Sequence, residues 1–132
     1  MQELGIGIIG GGYMGKAHAV AYAAVGAVFN TRLRPRLEMV AASSLASAEK
    51  YRDSFGFARA AHDWEELVRD PKVEAIVIAS PQSTHRAAAE LAFSLGKPVF
   101  CEKPLGASVE DAQAMVQAAQ DSGLVNMIGF NY

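Results

Sequence analysis

The sequence has one cysteine, Cys101, and one tryptophan, Trp64, in 132 residues. A single thiol excludes an internal disulfide framework and a cysteine-based zinc site, and it fits a reducing compartment. No charge sign dominates. Twelve Lys and Arg stand against fourteen Asp and Glu, for a formal charge of -2. A sequence-independent nucleic-acid binder needs surplus cations to displace counterions, so that class is excluded. Long apolar runs are missing as well. The longest stretch free of Asp, Glu, Lys and Arg is Ala17 to Thr31, and Gly26 interrupts it. A membrane span needs about 20 apolar residues. No basic segment precedes the first apolar run, so no secretion signal is expected and the expected location is the cytoplasm. The three histidines have no partners at metal-ligand spacing, so no metal site is expected. Neither a Gly-x-Ser-x-Gly elbow nor a Walker motif occurs.

What is present is a globular composition, 51% hydrophobic and 20% charged, with a mass of 14.0 kDa. That is one domain's worth of chain, able to bury roughly two-thirds of its unfolded surface. Short apolar runs alternate with longer amphipathic ones. Leu4 to Ile9 reads as a strand buried on both faces, broken by Gly10, Gly11 and Gly12. From Tyr13 the residues Met14, His18, Ala21, Tyr22 and Val25 share a helical face, and Gly26 is expected to end that helix. Ala27 to Arg36, with Pro35 and three arginines, reads as a loop or a helical extension. Leu37 to Ala42 is a second strand, and a helix runs from Ala46 to Phe55 with Gly56 at its end. Ala58 to Ala60 reads as a short strand. Asp63 with Glu66 forms a capping box before a short helix, and Asp70-Pro71 signals a turn. Glu74 to Ala79 is the most strand-like run. Ser83 is expected to cap a helix with Ala87, Ala88, Leu91, Ala92 and Leu95 as its apolar stripe, closed by Gly96. Pro98 to Cys101 is a further strand. Ser108 with Asp111 caps a helix that Gly123 closes, and Leu124 to Phe130 is the last strand. Strand and helix alternate throughout. That order predicts an α/β fold, a doubly wound parallel sheet of about six strands with helices on both faces, because right-handed crossovers require it.

Gly10-Gly11-Gly12-Tyr13-Met14-Gly15 matches G-x-G-x-x-G between a strand and a helix. Gly10 allows the tight turn, Gly12 lets a pyrophosphate approach the backbone, and Gly15 lets helix and strand pack closely. With Tyr13 and Met14 at the helix start, free amides and the positive dipole end face the phosphates. Dinucleotide binding is therefore expected, with a plain tight turn as the alternative. The end of the second strand should face the adenine ribose, where NAD sites usually carry an acid. Here stand Ser43 and Ser44. The missing carboxylate removes a repulsion toward a 2′-phosphate, and serine hydroxyls can donate to one. The reading leans to NADP or dual use, although two serines can equally end a strand without discriminating. Arg32, Arg34 and Arg36 could reach a 2′-phosphate, with a solvated loop the plainer role.

Ligands in such a sheet sit at the carboxyl ends of the strands. Two more of these ends carry polar clusters: Ser80, Pro81, Gln82, Ser83, Thr84 and His85 after one strand, and Glu102, Lys103 and Pro104 after the next. A lysine there suits a site, as a point donor whose charge burial can tune, and it equally fits a surface ion pair with Glu102. His18 is expected to be a core histidine satisfied by a backbone carbonyl, His62 a helix-start residue, and Cys101 a core residue. Lys16 could support phosphates or face solvent.

GIIGGGYMGKAHA, ASPQSTH, CEKPL and GFNY occur in this order along the chain. They resemble the amino-terminal nucleotide-binding domain of the glucose–fructose oxidoreductase, inositol dehydrogenase and rhizopine-catabolism family. The resemblance spans essentially the whole sequence, with CEKP its most specific element. It implies that Lys103 is catalytic, near the nicotinamide and the reacting hydroxyl. It implies that Glu102 lies in the cofactor pocket, that Ser80, Pro81, Gln82 and His85 belong to a loop under the cofactor, and that Asn131 lies near the nicotinamide. The implied reaction moves hydride between the nicotinamide and a secondary alcohol of a sugar, cyclitol or related polyol. The substrate and dimerisation domain of the family would follow residue 132, so the 1–132 chain is expected to be a truncated Rossmann domain, inactive alone and compatible with a homo-oligomer. The alternative is a stand-alone module that binds or senses NAD(P). Two departures stand out: Ser44 replaces a common acid, and Ala27 to Arg36 is longer than in many members.

Overall fold

Every predicted apolar run becomes a strand, and all six strands lie parallel in one sheet. The computed structural model describes residues 2–130. The chain runs β1 (Gln2–Ile9), α1 (Tyr13–Val28), β2 (Leu33–Ala41), α2 (Leu45–Phe55), β3 (Arg59–Ala60), α3 (Trp64–Arg69) and β4 (Ala75–Ile78). A 3-10 turn (Gln82–Thr84) follows, then α4 (His85–Ser94), β5 (Val99–Cys101), α5 (Val109–Ser122) and β6 (Asn126–Ile128). From β1 the chain first winds outward through β2 and β3, then returns to add β4, β5 and β6 on the other side. The doubly wound architecture is therefore as expected.

The period of a strand divides the core into two layers. Ile6 and Ile8 of β1 and Val77 of β4 pack with Ala19, Tyr22, Tyr51 and Phe55 beneath α1 and α2. Ile9, Ile76 and Ile78 point the other way, onto Leu67, Val68, Ala88, Ala89, Ala92 and Met115 of α3, α4 and α5. In β2 the alternation slips: Leu37 and Val40 share a layer although three positions separate them. The cause is a bulge. Ile6 pairs with Leu37 and Gly7 with Met39, so Glu38 has no partner in β1. An extra residue restores the side-chain faces beyond it.

Several expected boundaries move. α1 does not stop at Gly26; it continues to Val28, with Phe29 N–H bonded to Val25 O. Gly26 lies within the last turns of α1, where a Cβ would meet the Arg34 side chain only at ordinary contact distance, 3.4 Å from Nε. The segment from Ala27 to Arg36 is neither a loop nor a helical extension alone. It completes α1, turns, and forms the first half of β2, which pairs with β1 from Leu33 onward. Pro35 is tolerated because β3 pairs only with Met39 and Val40, leaving β2 an edge at that level. Ser83 does not cap α4; it lies inside the 3-10 turn, and α4 starts at His85 with a buried stripe of His85, Ala88, Ala89 and Ala92. Ala87 and Leu95 are exposed. β6 shortens to three residues. The capping at Asp63 and Ser108 holds: their side chains accept from Glu66 N–H at 2.8 Å and Asp111 N–H at 3.1 Å.

One polar network ties the outer strands to the loop before β4. Glu38 is 2% exposed. Arg59 donates to its Oε1 through Nε at 3.0 Å and Nη2 at 2.7 Å, and Arg36 pairs with the other oxygen. Arg59 also forks onto Asp70, with both bonds at 2.7 Å. Those hydrogen bonds hold the Asp70 carboxyl down at about 2, against an ordinary 3.8. Two predictions follow from this one cluster. Arg59→Ala should lower stability at pH 7 by about 2–3 kcal/mol, less than for a fully orphaned buried carboxylate because Arg36 remains. Asp70 binds protons more weakly folded than unfolded, so its contribution is complete above its ordinary value of 3.8 and fades as pH falls through about 2. The difference between parent and variant in urea unfolding should therefore narrow as the pH is lowered below about 4.

Candidate functional site

The direction of winding reverses between β1 and β4, and there the connections leave in opposite directions to open a crevice at the carboxyl ends. Three of these ends supply the sequence candidates. β1 leads into the glycine turn, β4 into the segment from Ala79 to Thr84, and β5 into Glu102-Lys103-Pro104. Backbone bonds clip each end to its neighbour: Gly10 N–H to Ala41 O at 2.8 Å, Ala79 N–H to Ile9 O at 2.8 Å, Glu102 N–H to Ile78 O at 2.9 Å, and Gly129 N–H to Cys101 O at 2.9 Å.

The glycines divide the work as their spacing predicts. Gly10 has φ of +116°, and a Cβ there would lie 2.5 Å from the Ala79 carbonyl carbon and oxygen. A Cβ at Gly15 would collide with Gly10 O, so the first turn of α1 rests directly on the glycine turn. Gly12 is different. Nothing lies within 4 Å of its Cβ position, no side chain caps α1, and no acid sits in the first turn. The helix start therefore presents free amides and a positive dipole end to open space, the arrangement that receives an anion. Tyr13 and Met14 are exposed there.

Beside this turn α2 contributes residues that the motifs did not single out. Tyr51 stacks on Phe55 with centroids 5.7 Å apart, and Lys16 Nζ stands 5.7 Å from the Tyr51 centroid. With Lys50 and Ser54 they line an open recess of about 320 Å³. Tyr51 and Phe55 stand one helical turn apart, and that spacing was the available signal. Ser43 and Ser44 end β2 at the surface. Ser44 is the N-cap of α2: its Oγ accepts from Ser47 N–H at 3.1 Å.

At the β4 end, Ser80 and Thr84 hydroxyls meet at 2.6 Å, and Thr84 also donates to Pro81 O at 2.7 Å. Pro81 and Gln82 are exposed. His85 is 2% exposed, with its ring between Ser80 O and Leu105 O, so its polar atoms face the two loops it joins. At the β5 end, Lys103 is exposed while Glu102 is only 6% exposed. His18 corrects an expectation. Its partner is the Glu102 carboxylate at 2.8 Å, not a backbone carbonyl. The two are far apart in sequence, and only the packing of α1 against β5 brings them together. Burial, with the Glu102 charge second, pushes the Cys101 thiol up to about 12, which keeps it protonated and unreactive within the core. Asn131 lies outside the described residues. Among those residues, no group of three or more His, Cys, Asp and Glu could hold a metal ion, and no helix is long and apolar enough to cross a membrane.

Residues 4–130 match the model of the Gfo/Idh/MocA oxidoreductase family, described by its NAD-binding Rossmann fold. The chain belongs to this family. It is 38% identical over 133 residues to levoglucosan dehydrogenase of Pseudarthrobacter phenanthrenivorans, covering 100% of this chain and 34% of that protein. It is 40% identical over 88 residues to trans-1,2-dihydrobenzene-1,2-diol dehydrogenase of Oryctolagus cuniculus, covering 67% of this chain and 27% of that one. The solved complex of levoglucosan dehydrogenase with NADH and levoglucosan superposes with a TM-score of 0.95 at 38% identity, over 99% of this chain and 36% of that one. The chain thus spans about a third of the length of these relatives.

The glycine turn separates folding from ligand access. Gly10→Ala should cost about 2–3 kcal/mol, from a positive φ and a backbone collision. Gly12→Ala should stay within about 1 kcal/mol of the parent, because its backbone is extended and its surroundings are open. Thermal unfolding of the two variants checks both.

Proposed function

We propose that this chain is the cofactor-binding part of a dehydrogenase acting on a secondary alcohol of a sugar, cyclitol or related polyol. One observation carries the reading: an uncapped helix start with open space over Gly12, at the same carboxyl end of the sheet as the loop that bears Lys103. The pocket suits a dinucleotide, since a Cβ would fill the cradle and none is there. When bound, such a cofactor supplies the hydride acceptor or donor. The first-turn amides of α1 hold its phosphates, and Lys16 adds positive charge beside them. Ser80, Pro81 and Gln82 form the floor on the β4 side. The Lys103 ammonium donates to the substrate oxygen and stabilises the charge that develops as the hydroxyl proton leaves. Further catalytic groups and the substrate pocket come from chain beyond these residues. The length ratio to the relatives supports that division.

The end of β2 supports acceptance of NADP beside NAD. It carries Ser43 and Ser44 and no carboxylate to repel a 2′-phosphate. The Ser44 hydroxyl already serves α2, so discrimination there is weak in either direction.

Titration of the chain with NADH and NADPH, followed by nicotinamide fluorescence, tests both parts. Both should bind, and Gly12→Val should weaken each by tenfold or more, about 1.4 kcal/mol, without loss of folding. A preference for NADH of more than about a hundredfold would overturn the dual reading. In the full-length dehydrogenase, Lys103→Ala should lower kcat by about a hundredfold or more while cofactor affinity is kept. Unchanged turnover would overturn the catalytic role of Lys103.

A further inference from the structure

The loop that carries Lys103 has little backbone support of its own. β5 supplies only three residues, and its pairing ends with Glu102 N–H on Ile78 O. Among the described residues, no backbone-to-backbone hydrogen bond holds Lys103 or Leu105. Two histidines hold the segment instead, one from each side of the sheet. On the α1 side, His18 Nε2 meets Glu102 Oε1 at 2.8 Å, and its ring packs edge-on to Phe100 at 4.8 Å. A Cβ at Gly129 would lie 2.8 Å from that same carboxylate oxygen, so the backbone just after β6 packs against the pair. On the α4 side, His85 Nδ1 lies 3.0 Å from Leu105 O, and Nε2 lies 2.8 Å from Ser80 O. Carbonyl oxygens only accept, so a neutral ring donates to one loop and a protonated ring to both. His85 is 2% exposed, which denies water the chance to replace it. Between these two anchors stand Lys103 and Pro104, both exposed.

We propose that His18 and His85 are positioning residues that together fix where the Lys103 ammonium stands at the mouth of the crevice. The proposal deepens the dehydrogenase reading and rests on it for the role of Lys103. A lysine side chain is flexible, so the placement of its Cα decides what its tip can reach, and misplacement by about 1 Å at a reacting centre is costly. His18 holds the residue before Lys103 through a side chain. His85 holds the residue after Pro104 through a backbone oxygen and ties it to the floor loop at Ser80. The two contacts act on opposite ends of one short segment, so loss of either should loosen the same ammonium.

The test is competitive acylation of lysines on the 132-residue chain, read residue by residue by mass spectrometry, with and without NADH. It uses the parent, His18→Ala, His85→Ala, His18→Gln and His85→Gln. Lys97 is the internal gauge of folding, because its ammonium donates to Val68 O and Asp70 O well away from the crevice. With NADH at about ten times its Kd, Lys103 in the parent should react about tenfold more slowly than without it. In the alanine variants, at the same NADH saturation, that protection should fall below about twofold with the Lys97 rate unchanged. The glutamine variants, which keep an amide donor group, should be intermediate. Full protection of Lys103 in the alanine variants, with Lys97 unchanged, would overturn the proposal. If His85→Ala exposes Lys97 through unfolding, the glutamine variants and His18→Ala decide by the same criterion. If NADH protects no lysine in the parent, the dinucleotide reading fails separately. The free chain then decides: a Lys103 rate altered in the variants relative to Lys97 supports the mount, and an unaltered one overturns it.

Discussion

The backbone contact between Gly10 and Ala79 is the constraint on which the carboxyl end of the sheet depends. Two strands that are neighbours in space but far apart in sequence send their connections in opposite directions, and a crevice opens only if both chains leave without obstruction. At Gly10 the two backbones touch, with a left-handed turn that a side chain would block. Gly15 extends the same logic by seating α1 on the oxygen of Gly10. These two contacts aim the axis of a 16-residue helix at the crevice. The free amides over Gly12 then follow from where that helix starts, and such a helix start can receive an anion without a charged side chain.

Elsewhere the molecule satisfies its polar groups internally. The bulge at Glu38 drives a carboxylate into the core, and two arginines from β2 and β3 follow it. Arg59 carries the network on to Asp70, ahead of β4, and Lys97 supplies an ammonium to the carbonyls at the end of α3. The outer strands are joined by charge as well as by ladder bonds, which matters because β3 is only two residues long. The contrast with the crevice is physical. Buried charges are neutralised in pairs where stability is at stake, whereas the start of α1 is left without a cap where a ligand's phosphates can complete it.

Most strands and helices were legible because apolar period and capping are local signals. Ile76, Val77 and Ile78 alternate between the two layers as a central strand must, and Asp63 and Ser108 cap their helices. The misreadings share a cause. Gly26 resembles a helix stop, yet α1 runs past it to Val28, beside Arg34 of the next strand. Pro35 and its arginines resemble a loop, yet a parallel edge accepts them because only one neighbour needs their backbone there. Ser83 resembles a cap, yet the following turn tightens into a 3-10 helix and passes the start to His85. In each case a tertiary neighbour overrode a local preference.

By itself the sequence determined the alternating α/β order, the glycine turn and the polar residues at three strand ends, since each is encoded within a few neighbouring positions. It did not determine what those residues touch. That His18 binds Glu102, that His85 joins Ser80 to Leu105, and that Tyr51 lies beside Lys16 are long-range facts. They arise only when α1, α2, α4 and β5 pack on one sheet, because the burial that closes a hydrogen bond or an ion pair between distant residues does not exist until the layers meet.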